Sequence, residues 1–228
     1  MNEHPTNKTS GLGGRLPLLP PDTLDEAQRA LYDRLSATRA RSAEEAGYTA
    51  ALPDGRLIGP FNALLRTPHI ARPLLEWAQA LTRAGIPADV REVVILTVAA
   101  HWRADYALYA HTAAADKAGL PDLAIASLLR GEAPRGLRPD ADLAHRLATA
   151  LVRDHRVRDD LYDEAVAAFG TNTLIALVSL VGQYLSTSAL LACFQVPAPP
   201  RTAPRSPPPK SFARAAVRMM RWHGDQPR

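Results

Sequence analysis

The sequence predicts an all-α protein. Three observations carry that expectation. Apolar residues recur at three- and four-residue spacing along most of the chain, no segment sustains two-residue alternation of β-branched side chains, and Gly and Pro fall where helices would start and stop. The 228 residues are 46% hydrophobic, ample for a core, and 22% charged, ordinary for a soluble globular protein.

The polar opening MNEHPTNKTSGLGG reads as a flexible arm over residues 1–14. It lacks the apolar stretch of a signal peptide, which favours the cytoplasm. The first helix is expected after an N-cap at Asp22 or Thr23, with Leu24, Ala27, Leu31 and Leu35 on one face. Residues 47–60 read as a loop. Thr67 then caps a helix that carries Leu74, Leu75, Trp77 and Leu81, with Pro68 in its first turn and Pro73 tightening or kinking its early turns. Gly85 ends it. Pro87 and Asp89 open the next helix, through Val93, Val94, Leu96 and Ala100, and residues 104–118 form another that stops at Gly119. Pro121 starts a short helix ending at Gly131, and three more helices are expected over 140–154, 158–169 and 171–194. Residues 15–198 are thus the expected folded domain, and 199–228 a Pro-rich linker with a basic tail.

No charged residue lies between Ala165 and Pro200, which is membrane-span length. Gly170 splits that run, and Asn172, Ser179, Gln183, Tyr184, Ser186, Thr187 and Ser188 punctuate it. A core or oligomer-interface helix explains this composition better than lipid exposure. The formal net charge of +4 is uneven: residues 201–228 hold seven Lys and Arg against one Asp. The body is therefore slightly acidic and is not expected to bind nucleic acid. In the tail, Arg214, Arg218 and Arg221 fall on one helical stripe, so packing on a neighbouring subunit and contact with a membrane or other acidic partner both stay open. A single cysteine, Cys193, excludes an intramolecular disulfide, a dithiol redox pair and a Cys-based zinc cage.

Aromatic and titratable side chains concentrate in HWRADYALYAH, residues 101–111. Glu92 precedes His111 by nineteen residues, about 28 Å on one straight helix at about 1.5 Å per residue and too far for joint catalysis. If the chain turns near His101–Arg103, Glu92 lies nine residues before His101 and His111 eight after Arg103, so the two face each other across an antiparallel hairpin. Neither Gly nor Pro announces that turn. A metal shared by His101 and His111 lacks ligand spacing and a third partner, so no metal is expected.

The strings GPFNALLRTPHIARPLL, REVVILTVAAHWRADYALYAHTAAADKAGL, LVSLVGQY and CFQVP resemble the carboxymuconolactone decarboxylase family, within the alkyl hydroperoxidase D-like superfamily. The resemblance implies an all-helical bundle with the antiparallel hairpin carrying the site, assembled as a homotrimer or homohexamer. The superfamily's peroxidase branch places two cysteines where this chain has Ala104 and Ala107, so a thiol peroxidase is not expected. The chemistry left is general acid–base catalysis without a cofactor. The family's Glu and His fall on Glu92 and His111. An unsaturated lactone acid can lose CO2 there if a general acid protonates the dienolate that forms. His111 would supply the proton, and Glu92 would orient it or share the proton. Arg103, or Arg66, would hold a substrate carboxylate, and Tyr106 and Tyr109 would hydrogen-bond a lactone carbonyl. Trp102 and His101 complete the candidate substrate-binding set. Several of these residues also have a purely structural reading, with Glu92 serving its helix dipole and Tyr106 and Trp102 standing as core aromatics.

The chain departs from the family where YEWYAH reads YALYAH, with Ala107 and Leu108 in place of an acid and a Trp, and where GYY reads Gly182-Gln183-Tyr184. Three functions are compatible with the sequence. One is a decarboxylase-like lyase acting on a small unsaturated carboxylate or lactone. Another is a tailoring enzyme that isomerises, dehydrates or cyclises a larger apolar substrate. The third is a non-catalytic helical oligomer that binds a ligand or partner.

Overall fold

A computed structural model describes residues 10–200, and no strand occurs among them. The helices are α1 (Glu26–Leu35), α2 (Arg41–Ala46), α3 (Pro60–Leu64), α4 (Pro68–Thr82), α5 (Ala88–Trp102), α6 (Asp105–Lys117), α7 (Asp122–Leu129), α8 (Pro139–Thr149) and α9 (Asp159–Cys193). Wider π-helical turns, Ser36–Ala40 and Ala150–Asp154, come directly after α1 and α8.

Helix α5 is apolar on every face, with Val90, Val93, Val94, Ile95, Leu96 and Val98 all buried. A helix apolar all round has to lie at the centre, and α5 is indeed packed by α6, α8 and α9. The chain reverses at Arg103, in the left-handed conformation (φ 50°, ψ 43°), whose N–H closes on the last carbonyls of α5. A non-glycine residue rarely adopts that conformation, which is why the sequence does not announce the turn. The expected α5–α6 hairpin is present.

Two boundaries differ from the sequence expectation. Asp22 and Thr23 lie in a short 3-10 turn, and the cap of α1 is Asp25. Its carboxylate accepts the Gln28 N–H (2.8 Å) while the Gln28 side chain accepts the Asp25 N–H (3.1 Å), a reciprocal capping box. The arm boundary at residue 14 also shifts. Ser10–Gly13 is a 3-10 turn, Leu12 is buried, and the Arg15 N–H donates to the Phe194 carbonyl at 2.7 Å. At Gly14 a Cβ would meet the Phe194 and Gln195 carbonyl oxygens at 2.2 and 2.3 Å. The glycines that suggest flexibility instead permit a close backbone approach. The rest of the expected arm (1–9), and the basic stripe and linker beyond 200, lie outside the described residues.

Helix α9 breaks at Gly170 (φ 71°, ψ 160°), between 159–169 and 171–193. It is long and apolar enough to cross a membrane by length and composition alone. Its inner face packs on α5 and carries the buried Leu174, Leu177, Leu180 and Val181. Ile175 and Val178, 60% and 43% exposed, point outward.

One half-buried histidine gives the fold an acid limit. Thr97 donates its hydroxyl proton to the Val93 carbonyl (2.7 Å), so its oxygen accepts from His145 Nδ1–H at 2.9 Å. Burial lowers the His145 pKa below the usual imidazole value, partly opposed by Asp142. Because the folded state disfavours the charged ring, this stability is present above the unfolded pKa and is lost as pH falls toward the folded one. Urea midpoints measured at pH 7 and pH 5 should therefore differ less in His145→Asn than in the wild type.

Candidate active site

The hairpin brings Glu92 and His111 together. Glu92 lies one turn into α5 and is 5% exposed. Its Oε2 is 2.7 Å from His111 Nδ1 on α6, and its Oε1 lies 3.6 Å from Arg91 Nε. A buried carboxylate needs such partners, because leaving it uncompensated costs several kcal/mol, of order 3–5. The far side of the ring is also occupied: His111 Nε2 lies 3.0 Å from the hydroxyl of Tyr184 on α9, and the rings meet edge to face with centroids 5.0 Å apart. An ionised carboxylate only accepts, so Nδ1 carries the proton toward Glu92 and Nε2 accepts from the Tyr184 O–H. Burial, reinforced by the Glu92 charge, pushes the Tyr184 pKa far above the ordinary phenol value. The hydroxyl therefore stays protonated, and the arrangement is a relay: Arg91, Glu92, His111, Tyr184.

The relay opens on a cavity of about 160 Å³. Its lining combines polar side chains, among them His111, Tyr184, Gln183, Thr187, Tyr48 and Arg39, with apolar ones, among them Phe61, Leu64, Leu74, Leu75, Ala78 and Leu190. Arg39 stands on the π-helical turn after α1 and has no ion-pair or hydrogen-bond partner among the described residues. Its charge opposes the upward shifts that burial imposes on the Tyr48 and Tyr184 hydroxyls, which line the same cavity. Such wide turns recur at functional sites, where they redirect a side chain out of helical register.

The structure divides the sequence-derived candidates. His111 and Tyr106 line the cavity, and Glu92 stands behind it on the His111 ring. Tyr106, 3% exposed, presents its ring to the cavity and donates its hydroxyl to the Thr49 carbonyl (2.9 Å). The Tyr109 hydroxyl accepts the Thr49 N–H (2.9 Å). The two tyrosines thus hold the 47–59 loop, and with it Tyr48, over the site, in place of the expected contact with a lactone carbonyl.

His101, Trp102 and Arg103 do not join them. They are exposed at the hairpin turn, at the opposite end of α5 from Glu92, about 14 Å along the axis at about 1.5 Å per residue. None of the three lines the relay cavity. His101 lines a different cavity, beside His145. Arg66 is committed to structure, bonding the Asn62 carbonyl (2.9 Å) and the Pro17 carbonyl (2.6 Å). Among the described residues no group of three or more His, Cys, Asp or Glu is placed to hold a metal.

Ala107 lies on the cavity lining, whereas Leu108 packs on the core. The position where the resemblance puts an acid therefore faces the ligand space and carries only a methyl group. Cys193, exposed at the end of α9, does not line the cavity. Sequence reasoning missed Tyr184 as a partner of His111, and it missed Arg39 and Tyr48 altogether. For Tyr184 a signal existed: a phenol beside Gln183 in a run without charges. Arg39 gave none, because a π-helical turn leaves no periodicity to read.

The arrangement of helices is that of the alkylhydroperoxidase AhpD core. A crystal structure so described, of an uncharacterized peroxidase-related protein from Ralstonia eutropha JMP134, matches 86% of this chain and 94% of its own with a TM-score of 0.66. Sequence identity is 14%, so the likeness is one of fold. No protein-family model matches the sequence, and no curated protein does.

Proposed function

We propose that this chain is an acid–base enzyme of the decarboxylase type, acting on a small unsaturated carboxylate or lactone. The observation that supports it most is the hydrogen-bonded series Glu92–His111–Tyr184 ending on a cavity. In a γ-carboxybutenolide the C–CO2 bond breaks and its electron pair enters the conjugated lactone as a dienolate. Tyr184 then gives its proton to the α carbon. His111, entering this step as the imidazolium held by Glu92, restores the Tyr184 proton, and solvent reloads the ring. The balance is one proton taken up for each CO2 released.

A second reading is favoured by the apolar share of the lining and by Ala107. With a neutral His111 the same relay accepts a proton, which suits isomerisation of a more apolar substrate. The tests are CO2 release from γ-carboxybutenolides, and deuterium uptake from D2O into a carboxyl-free butenolide. Each should fall by about two to four orders of magnitude in His111→Ala. Unchanged rates in that variant would remove the relay from the chemistry.

Self-association belongs to the same proposal. The outward Ile175 and Val178 on the charge-free half of α9 are the apolar surface it would use. Sedimentation should find a multimer that Ile175→Asp dissociates, and a wild-type monomer would refute it.

A further inference from the structure

We propose that the ligand of this cavity is a monocarboxylate with an apolar body about the size of one six-membered ring, its carboxylate held by Arg39. The inference rests on reading the relay cavity as the substrate site.

Charge argues for a single carboxylate. Among the described residues, Arg39 is the one Lys or Arg side chain lining the cavity, and no Asp or Glu lines it. Glu92 sits behind His111, and its charge is met by Arg91. The other arginines nearby are engaged, Arg34 with Glu76 at 3.8 Å and Arg66 with the Pro17 and Asn62 carbonyls. Arg39 is left holding a guanidinium without a protein anion among the described residues, and a carboxylate is the planar partner its fork matches. A second carboxylate would find no second Lys or Arg side chain on the lining to offset its desolvation.

Shape argues for the body. Phe61, Leu64, Leu74, Leu75 and Ala78 give the lining a large apolar share, with nothing ionic among them. The volume is about 160 Å³, and an apolar cavity of about 150 Å³ accommodates benzene. Ala107 contributes to this: an acid there would fill part of the space and repel the ligand's carboxylate. Carboxymuconolactone, the substrate implied by the family resemblance, carries two carboxylates, one more than the single arginine on the lining matches.

The test is calorimetric titration of the full chain with phenylacetate and with 1,4-phenylenediacetate, which adds a second carboxylate to the same ring. Phenylacetate should bind, and 1,4-phenylenediacetate should bind at least tenfold more weakly. Arg39→Gln should lose at least tenfold in phenylacetate affinity, while Arg39→Lys recovers part of it by keeping the charge without the fork. Arg39 is half-buried at the cavity, so a thermal melt of each variant separates lost affinity from lost fold. The proposal is overturned if phenylacetate fails to bind at millimolar concentration, if the dicarboxylate binds as well, or if folded Arg39→Gln binds phenylacetate like the wild type. Phenylacetate is not turned over by the relay, so its failure to bind would leave the proton-transfer reading standing. Conversely, rates indifferent to His111→Ala with phenylacetate still bound would defeat the proton-transfer reading alone.

Discussion

His111→Ala should lower proton-transfer turnover by about two to four orders of magnitude, the usual contribution of a positioned acid–base group. The ring is the middle of a three-part series, so its loss separates Tyr184 from Glu92 and leaves the carboxylate buried without its imidazole partner. Tyr184→Phe should cost nearly as much in kcat with little change in KM, because the ring stays and only the terminal O–H is removed. Glu92→Gln keeps a side chain of the same shape but withdraws the charge that stabilises an imidazolium, with a smaller loss of about 10- to 100-fold expected for an orienting partner. Residues that act as one unit are not additive, so His111→Ala combined with Tyr184→Phe should fall little below His111→Ala alone. Multiplicative losses would mean that Tyr184 works independently of the ring, and the relay would have to be redrawn.

The same geometry shows what the sequence could and could not convey. The Glu92–His111 contact was legible because a hairpin is a one-parameter hypothesis: once the chain turns near His101–Arg103, residues at equal distance from the turn must face each other. The aromatic cluster around that hairpin was legible only as composition. His101, Trp102 and Arg103 share its sequence window, yet they crown the turn while the chemistry lies near the other end of α5, because a window in sequence is not a neighbourhood along a helix pair. Tyr106 and Tyr109 do lie beside the site, but their hydroxyls serve the loop carrying Thr49. The partners that complete the cavity, Tyr184 from α9 and Arg39 from the turn after α1, arrive across 73 and 72 residues of chain. Long-range packing of that kind leaves no local signal. The all-helical class, by contrast, was carried by apolar spacing and helix punctuation, both of which are local, whereas the AhpD-like bundle was implied by the resemblance of strings such as REVVILTVAAHWRADYALYAH.

Gly59→Ala should be the most damaging single-methyl change near the site. Gly59 precedes α3 with φ 66° and ψ −147°, a region that side chains essentially never occupy. A Cβ there would stand 2.2 Å from Tyr106 Cε1, 2.3 Å from Cζ and 2.8 Å from Cδ1. The Tyr106 ring cannot retreat cheaply, since it is enclosed in the core around Ile58, Ala99 and Leu191 and tied to Thr49 through its hydroxyl. Backbone strain and overpacking together should cost about 2–5 kcal/mol, read as a lowered urea midpoint. Tyr106→Phe provides the scale: it keeps the ring, loses only the bond to Thr49, and should cost about 1 kcal/mol. Tyr106→Leu separates the two causes, because with the ring gone Gly59→Ala should retain only its backbone strain. The coupling in that double-mutant cycle measures the ring contact. If Gly59→Ala keeps the wild-type midpoint, the 47–59 loop is not clamped by Tyr106. If the cycle shows no coupling, strain at Gly59 is carried by the backbone alone, and the loop over the cavity is held by Tyr109 and Thr49 without help from the ring.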